Sequence, residues 1–534
     1  MRTSYAPEME RLTAKLVKIR SVCGNGTGES MMAEYIRLYF SRLSYFKKHP
    51  EHLKTFDCGN NARSTIALIK GKSPKTIILM GHIDTVDTKD YGKAERYAND
   101  IKRLPEALRK SFDLPEEVLK DLDSGEYMFG RGTLDMKAGV AAGMLMIKYF
   151  ACHPDEFDGS LLLLNECDEE GNSSGVLKAL DVLKEIKEKE GLEYVACLNA
   201  DYATSDDNVR KVYLGTVGKL LPCFVAIGKE SHVGDPFAAF DPNLLLSLIN
   251  KNMTLNMKLA DTDGIKQTVP PISLKQTDDK DLYTVQTALS GISYYNFMTY
   301  TSSPKEVMDK CLKVAKDSFR EAIELKESNH KEYCKKNKIR YKRSGHKVRV
   351  YSYDQWNKLL NKDVSYRKEM DEYSRKLFIE DPDIDMRDYS YRMITHSYSF
   401  YEKKEPVVIV FFGSMYYSSI ETKDEKLISA VKKAVNEVNE SSSYDIVTDA
   451  FYPYISDMSF MSVPFKDKDI ENMFRNCLYP LYYPYKTIRD INVPVVNIGT
   501  YGKDGHTYVE RLEKAYSFNE LPELLFRTIK HYFE

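Results

Sequence analysis

Short apolar runs separated by amphipathic stretches lie at both ends of the chain. In the first part these runs are TIILM (76–80), LLLL (161–164) and VACL (195–198), and a small-residue stretch of helical length spans 136–151. After residue 416 the alternation returns, with a predicted helix at 427–438, a strand at 493–499 and a closing helix at 520–534. Short buried strands alternating with helices are typical of a parallel sheet covered on both faces. The pattern predicts one α/β domain, a mostly parallel sheet flanked by helices, built from residues 1–213 and 416–534.

The middle of the chain, residues 214–415, has a different pattern. It is dense in Lys, Glu, Asp and Tyr, and its segment 303–326 has helical periodicity. The apolar positions of that segment form one stripe, typical of a helix packed on its own domain: Met308, Leu312, Ala315, Phe319 and Ile323. The basic run 335–347 is flanked by acidic stretches, so we expect a solvated surface rather than a polyanion site. This part is predicted to be an α+β domain inserted into the α/β domain.

Composition narrows the class of protein. The 534 residues are 43% hydrophobic and 29% charged, with a formal net charge of -2, which is typical of a folded soluble protein. The near-neutral charge argues against a general nucleic-acid binder, and no apolar run reaches the roughly 20 residues of a membrane-spanning helix. The nine cysteines form no CxxC pair, and the first residues are charged. We therefore expect a cytoplasmic protein with reduced thiols and with neither a membrane nor a nucleic-acid partner.

Five segments place metal-ligand residue types just after a predicted strand or at a turn. They are GHIDTVD (81–87), GRGTLDMKAG (130–139), NECDEEGNSSG (165–175), LNADYAT (198–204) and GKDGHTYVE (502–510). Several of these residues have ordinary explanations when taken alone: Asp135 as a helix N-cap, Asp201 as a turn residue and His506 as a surface histidine. On a surface turn the adjacent Glu169 and Glu170 would indicate no function, but a buried pair of carboxylates needs a cation or a proton.

Taken together, the five segments predict a metal centre. In an open parallel sheet, residues that follow different strands meet at the carboxyl ends of those strands. His82 and Asp84 lie two apart on one strand and share a side of it, and such a carboxylate can fix the tautomer of a metal-bound imidazole. Two histidines and three or four carboxylates at this edge match a two-cation hydrolytic centre. The mixture of imidazole and oxygen ligands predicts zinc, with manganese or cobalt as substitutes.

These segments, in this order, resemble the signature segments of the co-catalytic zinc peptidases. The resemblance rests on GHIDTVD, GRGTLDMKAG, the DEEG of 168–171 and the late GHTYVE, and it lies within 81–234 and 493–510. That family includes aminoacylases, glutamate carboxypeptidases, succinyl-diaminopimelate desuccinylases and bacterial dipeptidases. The length and the Tyr-rich insertion are most similar to its arginine-utilisation branch, RocB. The resemblance implies that the inserted domain is a lid over a metallohydrolase domain.

The resemblance also implies a role for each candidate residue. It gives five ligands for two metal ions: His82 and Asp201 for one ion, Glu170 and His506 for the other, and Asp135 as the bridge. Asp84 would orient His82, and Glu169 would be the general base that takes a proton from the bridging water. Two cations roughly 3.5–4 Å apart acidify a shared water and stabilise the developing oxyanion, which leaves one unligated carboxylate to move the proton. The bond between Asp135 and Met136 would be the family's cis peptide.

The inserted domain contributes two further candidates. Segment 228–243 resembles the family's lid segment, in which a histidine reaches the substrate oxyanion. This assigns His232 to catalysis and substrate binding, with a structural histidine before a loop as the alternative. Asn243 lies near the position of the family's usual substrate-binding asparagine, and the resemblance therefore implies a substrate-binding role for it. In the last part of the chain, Asp457 resembles a late acid that gives the site structural support.

Two departures from the family pattern concern specificity and assembly. Tyr202 and Ala203 follow Asp201 where many members have a Pro-Thr pair, which leaves metal binding intact and affects substrate choice. The insertion of about 200 residues is longer than a small lid, and long lids are expected to change assembly. We expect either a monomer or a homodimer.

The sequence hypothesis is a metal-dependent amidohydrolase or peptidase that uses a di-metal-activated water. Its substrate would be a small peptide or an N-acyl-amino acid, and the branch resemblance favours arginine or amino-acid catabolism. The alternative is a non-catalytic binding or scaffold protein on the same fold, since folds of this kind carry more than one function. All five ligand types and the base are present, which favours the enzyme.

Overall fold

The computed structural model of the protein describes residues 5–203 and 208–534. In order along the chain, its strands are β1 (Leu53–Gly59), β2 (Ala62–Ile69), β3 (Lys75–His82), β4 (Tyr127–Phe129), β5 (Ser160–Glu166), β6 (Glu193–Asn199), β7 (Val209–Tyr213), β8 (Gly215–Thr216), β9 (Gly218–Leu220), β10 (Pro222–Ile227), β11 (Ile272–Asp278), β12 (Ser290–Thr299), β13 (Val350–Ser352), β14 (Val407–Phe412), β15 (Ile420–Glu421), β16 (Asp445–Asp449), β17 (Val495–Asn497), β18 (Gly502–Lys503) and β19 (Arg511–Glu513). Its α-helices are α1 (Ala6–Val17), α2 (Thr27–Phe40), α3 (Ser44–Lys48), α4 (Leu104–Ser111), α5 (Glu116–Ser124), α6 (Ala138–Cys152), α7 (Ser174–Glu190), α8 (Pro242–Met253), α9 (Pro304–Lys336), α10 (Tyr353–Leu360), α11 (Val364–Glu380), α12 (Met386–Ser397), α13 (Glu425–Asn439), α14 (Asp467–Phe474), α15 (Tyr485–Ile491) and α16 (Leu521–Phe533).

The chain divides into two compact units. Unit 1 comprises Met1–Val217, Ser418–Val463 and Pro484–Glu534, and unit 2 comprises Gly218–Tyr417 and Pro464–Tyr483. The main division lies a few residues from the predicted boundaries at 213/214 and 415/416. The segment Pro464–Tyr483, which the sequence prediction left in the α/β domain, belongs to unit 2. Within that unit, the Asn476 carbonyl accepts from the Phe412 N–H at 2.9 Å.

Unit 1 is built on an eight-stranded sheet in the order β1-β2-β5-β3-β6-β17-β7-β16. Four of the pairings between its described strands are parallel, namely β3 with β5 and β6, β17 with β6, and β16 with β7. Helices α2, α6 and α7 pack against these strands. The three apolar runs of the sequence form β3, β5 and β6, and their apolar side chains are buried except for the half-buried Val195. The prediction of an α/β fold with a mostly parallel sheet flanked by helices is confirmed.

The topology brings four strand ends together. Strands β5, β3, β6 and β17 are neighbours in this order, and all three pairings among them are parallel. Their carboxyl ends therefore lie along the same edge of the sheet. His82 ends β3, Glu166 ends β5, and Asn199 and Asn497 end β6 and β17. His82, Glu170 and Asp201 lie at or shortly after three of these ends, whereas His506 follows β18 and Asp135 precedes α6.

Unit 2 contains a mainly antiparallel sheet in the order β11-β12-β10-β14-β13, with β9 paired to β12. The predicted helix 303–326 is the first part of α9, and the apolar stripe is buried there except for the half-buried Ile323. Trp356 is fully buried in the core of this unit, and its indole N–H donates to Ser397 Oγ at 2.8 Å. Most of the basic run 335–347 is solvent-exposed, as expected.

Two further features of the described chain bear on the sequence predictions. The nine cysteines, all of which fall within the described residues, are free thiols. Among the helices described for residues 5–203 and 208–534, none combines the length and the apolar character that crossing a membrane requires.

Candidate metal centre

Asp135 lies between two histidines that are far apart in the sequence. Its Oδ1 is 2.9 Å from Nε2 of His82, and its Oδ2 is 2.7 Å from Nε2 of His506. The same Nε2 of His506 is 2.9 Å from Oε1 of Glu170. One carboxylate thus faces two imidazoles, each through a different oxygen, which is the arrangement expected of a bridging ligand.

The candidate ligands form two groups that share Asp135. The donor atoms of His82, Asp135 and Asp201 lie within 4.8 Å of one another, and so do those of Asp135, Glu170 and His506. These are the two ligand sets that the sequence resemblance implies. His82, Asp135 and Asp201 are buried, whereas the His506 side chain is 44% exposed. The second group is therefore the one that is open to solvent.

The turn that presents Asp135 is shaped by glycine. Between β4 and α6 the chain passes through Gly132, whose φ of +79° lies in the left-handed region, where a side chain would be strained. A Cβ at this position would also lie 2.7 Å from the Cγ2 of Thr85. The peptide bond between Asp135 and Met136 is cis, as the resemblance implies.

Asp84 links His82 to the loop of Glu169 and Glu170. Nδ1 of His82 is 3.2 Å from the carbonyl oxygen of Asp84, whereas the Asp84 carboxylate is 3.7 Å away. Because a carbonyl only accepts, this contact places a proton on Nδ1 and leaves Nε2 for a metal. The carboxylate accepts the backbone N–H groups of Glu169 at 3.2 Å and Glu170 at 3.0 Å. The backbone of Asp84 therefore contacts the His82 ring more closely than its carboxylate does, and the carboxylate also holds the loop.

Burial gives the carboxylates of this centre unusual acidities. It raises the pKa of Asp84 to about 6 and that of Asp201 to about 7. Burial also raises the pKa of Glu169 well above its usual range, with a further rise from the nearby Asp457 that His82 partly offsets. Desolvation penalises a charged carboxylate, and like charges that lie close together add to the penalty. The centre therefore gathers several acidic groups whose ionised forms are not fully compensated by nearby positive charge.

The same carboxylates favour the charged form of the two histidines, whereas burial and mutual repulsion disfavour the charged form of the acids. Hydrogen bonds to Asp135 and Glu170 raise the pKa of His506 to about 10. The favourable interaction with Asp135 raises the pKa of His82 above its ordinary value in spite of burial, which acts to lower it. Both imidazoles thus occupy positions where a positive charge is strongly favoured.

These observations fit divalent cations. Within the described residues, the ion pairs of Asp135 and Glu170 are with histidines, not with Lys or Arg. The one lysine nearby, Lys137, is fully buried and donates to the Ile19 carbonyl at 2.8 Å. Imidazole nitrogens and carboxylate oxygens are the ligands that zinc and its substitutes take. The residues present could hold two such ions, with Asp135 shared between them.

A buried ion pair that the sequence reasoning missed supports this centre. Arg131 and Glu510 are each 1% exposed, and Nη1 of Arg131 lies 2.8 Å from Oε2 of Glu510. The other oxygen of Glu510 accepts the Leu134 N–H at 3.2 Å and lies 3.5 Å from the Asp135 nitrogen. Arg131 also donates to the carbonyl of His506 at 3.5 Å. The pair therefore connects the backbones of two candidate ligands.

Both residues of this pair lie inside segments that the sequence analysis singled out. Arg131 belongs to GRGTLDMKAG, and Glu510 ends GKDGHTYVE. They are separated by 379 positions, so nothing in the local pattern of either segment indicates the contact. The only indication in the sequence is that each of the two charged residues lies in the same segment as a predicted ligand, Arg131 with Asp135 and Glu510 with His506.

Asp201 is held by an amide that the sequence analysis also missed. Oδ1 of Asn497 accepts the Asp201 N–H at 3.1 Å, and its Nδ2 donates to the Asp201 carbonyl at 2.9 Å. The next residue, Tyr202, stacks on Tyr454 with ring centroids 5.7 Å apart. Its ring centroid is 6.3 Å from that of His506. The departure from the family's Pro-Thr pair therefore places an aromatic surface beside the second group of ligands.

Glu166 and Asp457 complete the acidic surroundings. Both are almost fully buried, and burial raises the pKa of each well above its usual range. The charge of Asp457 also raises the pKa of Glu166 and that of Glu169. Asp457 thus lies close to the centre without belonging to either group of candidate ligands.

The two lid candidates belong to unit 2. His232 is solvent-exposed, and its Nδ1 accepts the N–H of Gly234 at 3.0 Å, which fixes the ring in a local turn. Asn243 lies in the first turn of α8, and its side chain donates to Asp278 Oδ2 at 2.8 Å. Among the described residues of unit 2, no hydrogen bond joins His232 to Asn243. Their roles toward a substrate stay predictions.

The fold and the site define a metal-dependent hydrolase, and the chain belongs to peptidase family M20/M25/M40, whose sequence pattern it matches over residues 78–473. Protein RocB of Bacillus subtilis (strain 168) is 33% identical to it over 98% of this chain and 95% of that protein. The uncharacterized protein YqjN of the same organism is 31% identical over 98% of this chain and 96% of that protein. The predicted family and its RocB resemblance are confirmed.

The solved structures that resemble this chain share its fold. Aminopeptidase PepT from Bacillus cereus ATCC 10987 superposes with a TM-score of 0.53 at 12% identity, covering 99% of each chain. The metallo-carboxypeptidase Sso-CP2 from Sulfolobus solfataricus has a TM-score of 0.51 at 13% identity, covering 98% of this chain and 99% of that one. At such low identities the likeness concerns architecture alone.

Proposed function

We propose that this protein is a two-metal amidohydrolase that cleaves an amide bond in a small peptide or an N-acyl-amino acid. One observation carries the proposal: Asp135 faces His82 and His506 through its two oxygens, 2.9 and 2.7 Å away, beside the loop of Glu169 and Glu170. The ions would be zinc, with manganese or cobalt as substitutes, because the donors are imidazoles and carboxylates.

Five residues would hold the ions: His82 and Asp201 one, Glu170 and His506 the other, and Asp135 both. When bound, two such cations lower the pKa of a water molecule and stabilise negative charge on the attacked carbonyl oxygen. The described geometry supports this assignment, since the donor atoms of each group already lie within 4.8 Å of one another. The Asp84 carbonyl would keep Nε2 of His82 available by holding the proton on Nδ1.

Glu169 is the proposed proton carrier. Its carboxyl group is absent from both candidate ligand groups, and the burial that raises its pKa makes it a stronger proton acceptor than an ordinary carboxylate. It would take a proton from the attacking water and deliver it to the leaving amine nitrogen. The Asp84 carboxylate would keep it in place by accepting the N–H groups of Glu169 and Glu170.

The substrate class is inferred from relatives and from the lid. Succinyl-diaminopimelate desuccinylase of Pelagibacter ubique (strain HTCC1062) is 27% identical over 40% of this chain and 56% of that protein, and its name describes removal of a succinyl group from diaminopimelate. The RocB relationship favours a role in arginine or other amino-acid catabolism. In unit 2, His232 would contact the substrate oxyanion and Asn243 the substrate itself. A cytoplasmic location and a monomeric or homodimeric state stay predictions.

The test is a pair of single substitutions assayed for both metal content and turnover. A screen of dipeptides and N-acyl-amino acids with zinc, manganese and cobalt would first identify a substrate. Glu169→Gln should then keep two divalent ions per chain and lose about 10²–10⁴-fold in turnover, the range expected for a general base. Glu188→Gln, an exposed glutamate on the following helix α7, is the matched control and should retain full activity.

Two outcomes would contradict the proposal. Unchanged hydrolysis in Glu169→Gln at full metal content would remove Glu169 from the reaction. A wild-type chain that keeps its fold, binds no divalent ion and hydrolyses no compound in the screen would instead favour a binding or scaffold protein on this fold.

A further inference from the structure

A second cluster of metal-ligand side chains lies in unit 1 and shares no residue with the centre described above. We call it the His49 cluster, and it consists of His49, Glu51, His52 and Glu190. The first three residues occupy the tight turn between α3 and β1, where Pro50–His52 forms a single 3₁₀ turn. Glu190 is the last residue of α7. The cluster therefore joins two elements that are far apart in the sequence.

The distances within the cluster match those between ligands of one small cation. Nδ1 of His49 is 3.4 Å from Oε1 of Glu51, and that oxygen is 3.9 Å from Nε2 of His52. Nε2 of His52 is in turn 3.5 Å from Oε2 of Glu190. Ligands bound tetrahedrally at about 2.0–2.1 Å lie roughly 3.3–3.4 Å from one another. The donor atoms of His49, Glu51 and His52 all lie within 4.8 Å of one another.

The buried histidine of the cluster is oriented as a metal ligand would be. The side chain of His52 is 7% exposed, and its Nδ1 lies 2.8 Å from the hydroxyl of Tyr45. That hydroxyl also accepts the backbone N–H of Lys70 at 2.7 Å, which fixes its position. A ring nitrogen held in this way leaves the opposite nitrogen, Nε2, directed toward Glu51 and Glu190.

The charges around the cluster favour three main ligands and one shared carboxylate. Nζ of Lys70 lies 3.1 Å from Oε2 of Glu190 and competes for that oxygen. Lys70 is itself 39% exposed at the side chain, so it can turn toward solvent. His49 and Glu51 are also open to solvent, which provides a route for an ion to enter. The His49 and His52 rings and the Glu51 carboxylate need little movement to bind one ion, because His49 already stacks on His52 with ring centroids 5.3 Å apart.

We propose that the turn 49–52 is a separate binding site for a divalent transition metal of the zinc class, with His49, Glu51 and His52 as ligands and Glu190 as a fourth, shared oxygen. A bound ion would tie the start of β1 to the end of α7, the helix that follows the loop of Glu169 and Glu170. Its effect is on stability, because an ion that binds only the folded chain shifts the unfolding equilibrium.

The experiment measures bound zinc per chain by equilibrium dialysis and elemental analysis on the full-length protein. Wild type should bind one equivalent more than His49→Ala at the same free zinc concentration. Glu51→Gln should weaken that equivalent by at least about tenfold, since a charged ligand oxygen becomes a weak one. Both substitutions change solvent-exposed side chains, so folding should be retained. The readout is a difference between variants and does not depend on the metal content or activity of the centre around Asp135.

His153→Ala is the matched control, since His153 is an exposed histidine outside the cluster. It should bind the same amount of zinc as wild type. Equal zinc content in wild type and His49→Ala would overturn the proposal. So would an equal loss in His153→Ala, which would indicate unspecific binding by surface histidines. Zinc should also raise the melting temperature of wild type more than that of His49→Ala, and equal rises would count against the site.

Discussion

The buried pair of Arg131 and Glu510 offers the sharpest test of how the metal centre is held in shape. Replacing Arg131 by Met keeps most of the side-chain volume and removes the charge. The Glu510 carboxylate would then remain buried with only the Leu134 N–H at 3.2 Å as a close partner. Burial already raises the pKa of Glu510 to about 7 while Arg131 opposes that rise, so loss of Arg131 should favour the protonated acid.

The expected cost follows from burial. Breaking a buried ion pair by removing one partner costs about 3–5 kcal/mol, because the remaining charge is left without compensation. Arg131 and Glu510 are such a buried pair, since each is 1% exposed. In Arg131→Met/Glu510→Gln no buried charge of this pair remains, and the carboxylate that still loses a contact, Asp90, is 33% exposed. We therefore expect the double variant to lose less than the sum of the two single variants. The difference is the coupling between the two residues.

The assay is scanning calorimetry with a parallel measurement of zinc affinity. Because the chain has two compact units, the transition of each unit must be followed separately rather than as one two-state event. Arg131→Met should also weaken metal binding by about 10–100-fold, as loss of groups that support ligands commonly does. The control is Arg109→Met, which breaks an exposed pair with Asp123 and should cost no more than about 1 kcal/mol.

The reasoning would be refuted by either of two results. Arg131→Met could cost no more stability than Arg109→Met, which would mean that burial of the pair has no energetic consequence. Alternatively, the effects of Arg131→Met and Glu510→Gln could be additive, which would mean that the two charges do not act on each other.

Two other predictions concern metal removal and pH. Stripping divalent ions with a chelator should lower the melting temperature of unit 1, because the crowded carboxylates lose their counter-charge; re-added zinc should restore it, and an unchanged thermogram would contradict the assignment. In unit 2, burial and then Lys326 lower the pKa of His346 from 6.5 to about 4, so folding favours the neutral ring. The stability of unit 2 should therefore be full above pH 6.5 and fall as the pH drops toward 4, and urea unfolding of His346→Gln should show a smaller fall; an identical pH profile would exclude this histidine as the cause.

The sequence predicted the architecture of unit 1 well because its signals are local. An apolar run such as TIILM is long enough to be a buried strand and too short to be a helix, and β3 spans Lys75–His82. Once parallel strands are expected, the carboxyl ends of those strands must share an edge. His82, Glu170 and Asp201 could therefore be predicted to lie close together although up to 119 positions separate them. The change of composition in the middle of the chain separately predicted where the inserted domain lies.

The limits of the prediction also have physical causes. Pro464–Tyr483 belongs to unit 2, where the Asn476 carbonyl accepts from the backbone N–H of Phe412, and no periodicity within the segment indicates such a contact. The carboxylate of Asp84, predicted to orient His82, lies 3.7 Å from Nδ1 of that ring and also accepts the backbone N–H groups of Glu169 and Glu170, a contact that the sequence did not indicate. Alternation along a strand gives the side on which a residue lies, and it does not give the donor that its carboxylate will meet.

What the sequence determined by itself is the set of ligand types, their order and the kind of fold that gathers them. Only the tertiary structure decided that Asp135 would face both histidines, that Arg131 would pair with Glu510, and that Glu190 would lie beside His52. These contacts join positions that lie far apart in the chain. Their energies depend on burial and on distances of about 3–4 Å, and both quantities exist only after the chain has folded.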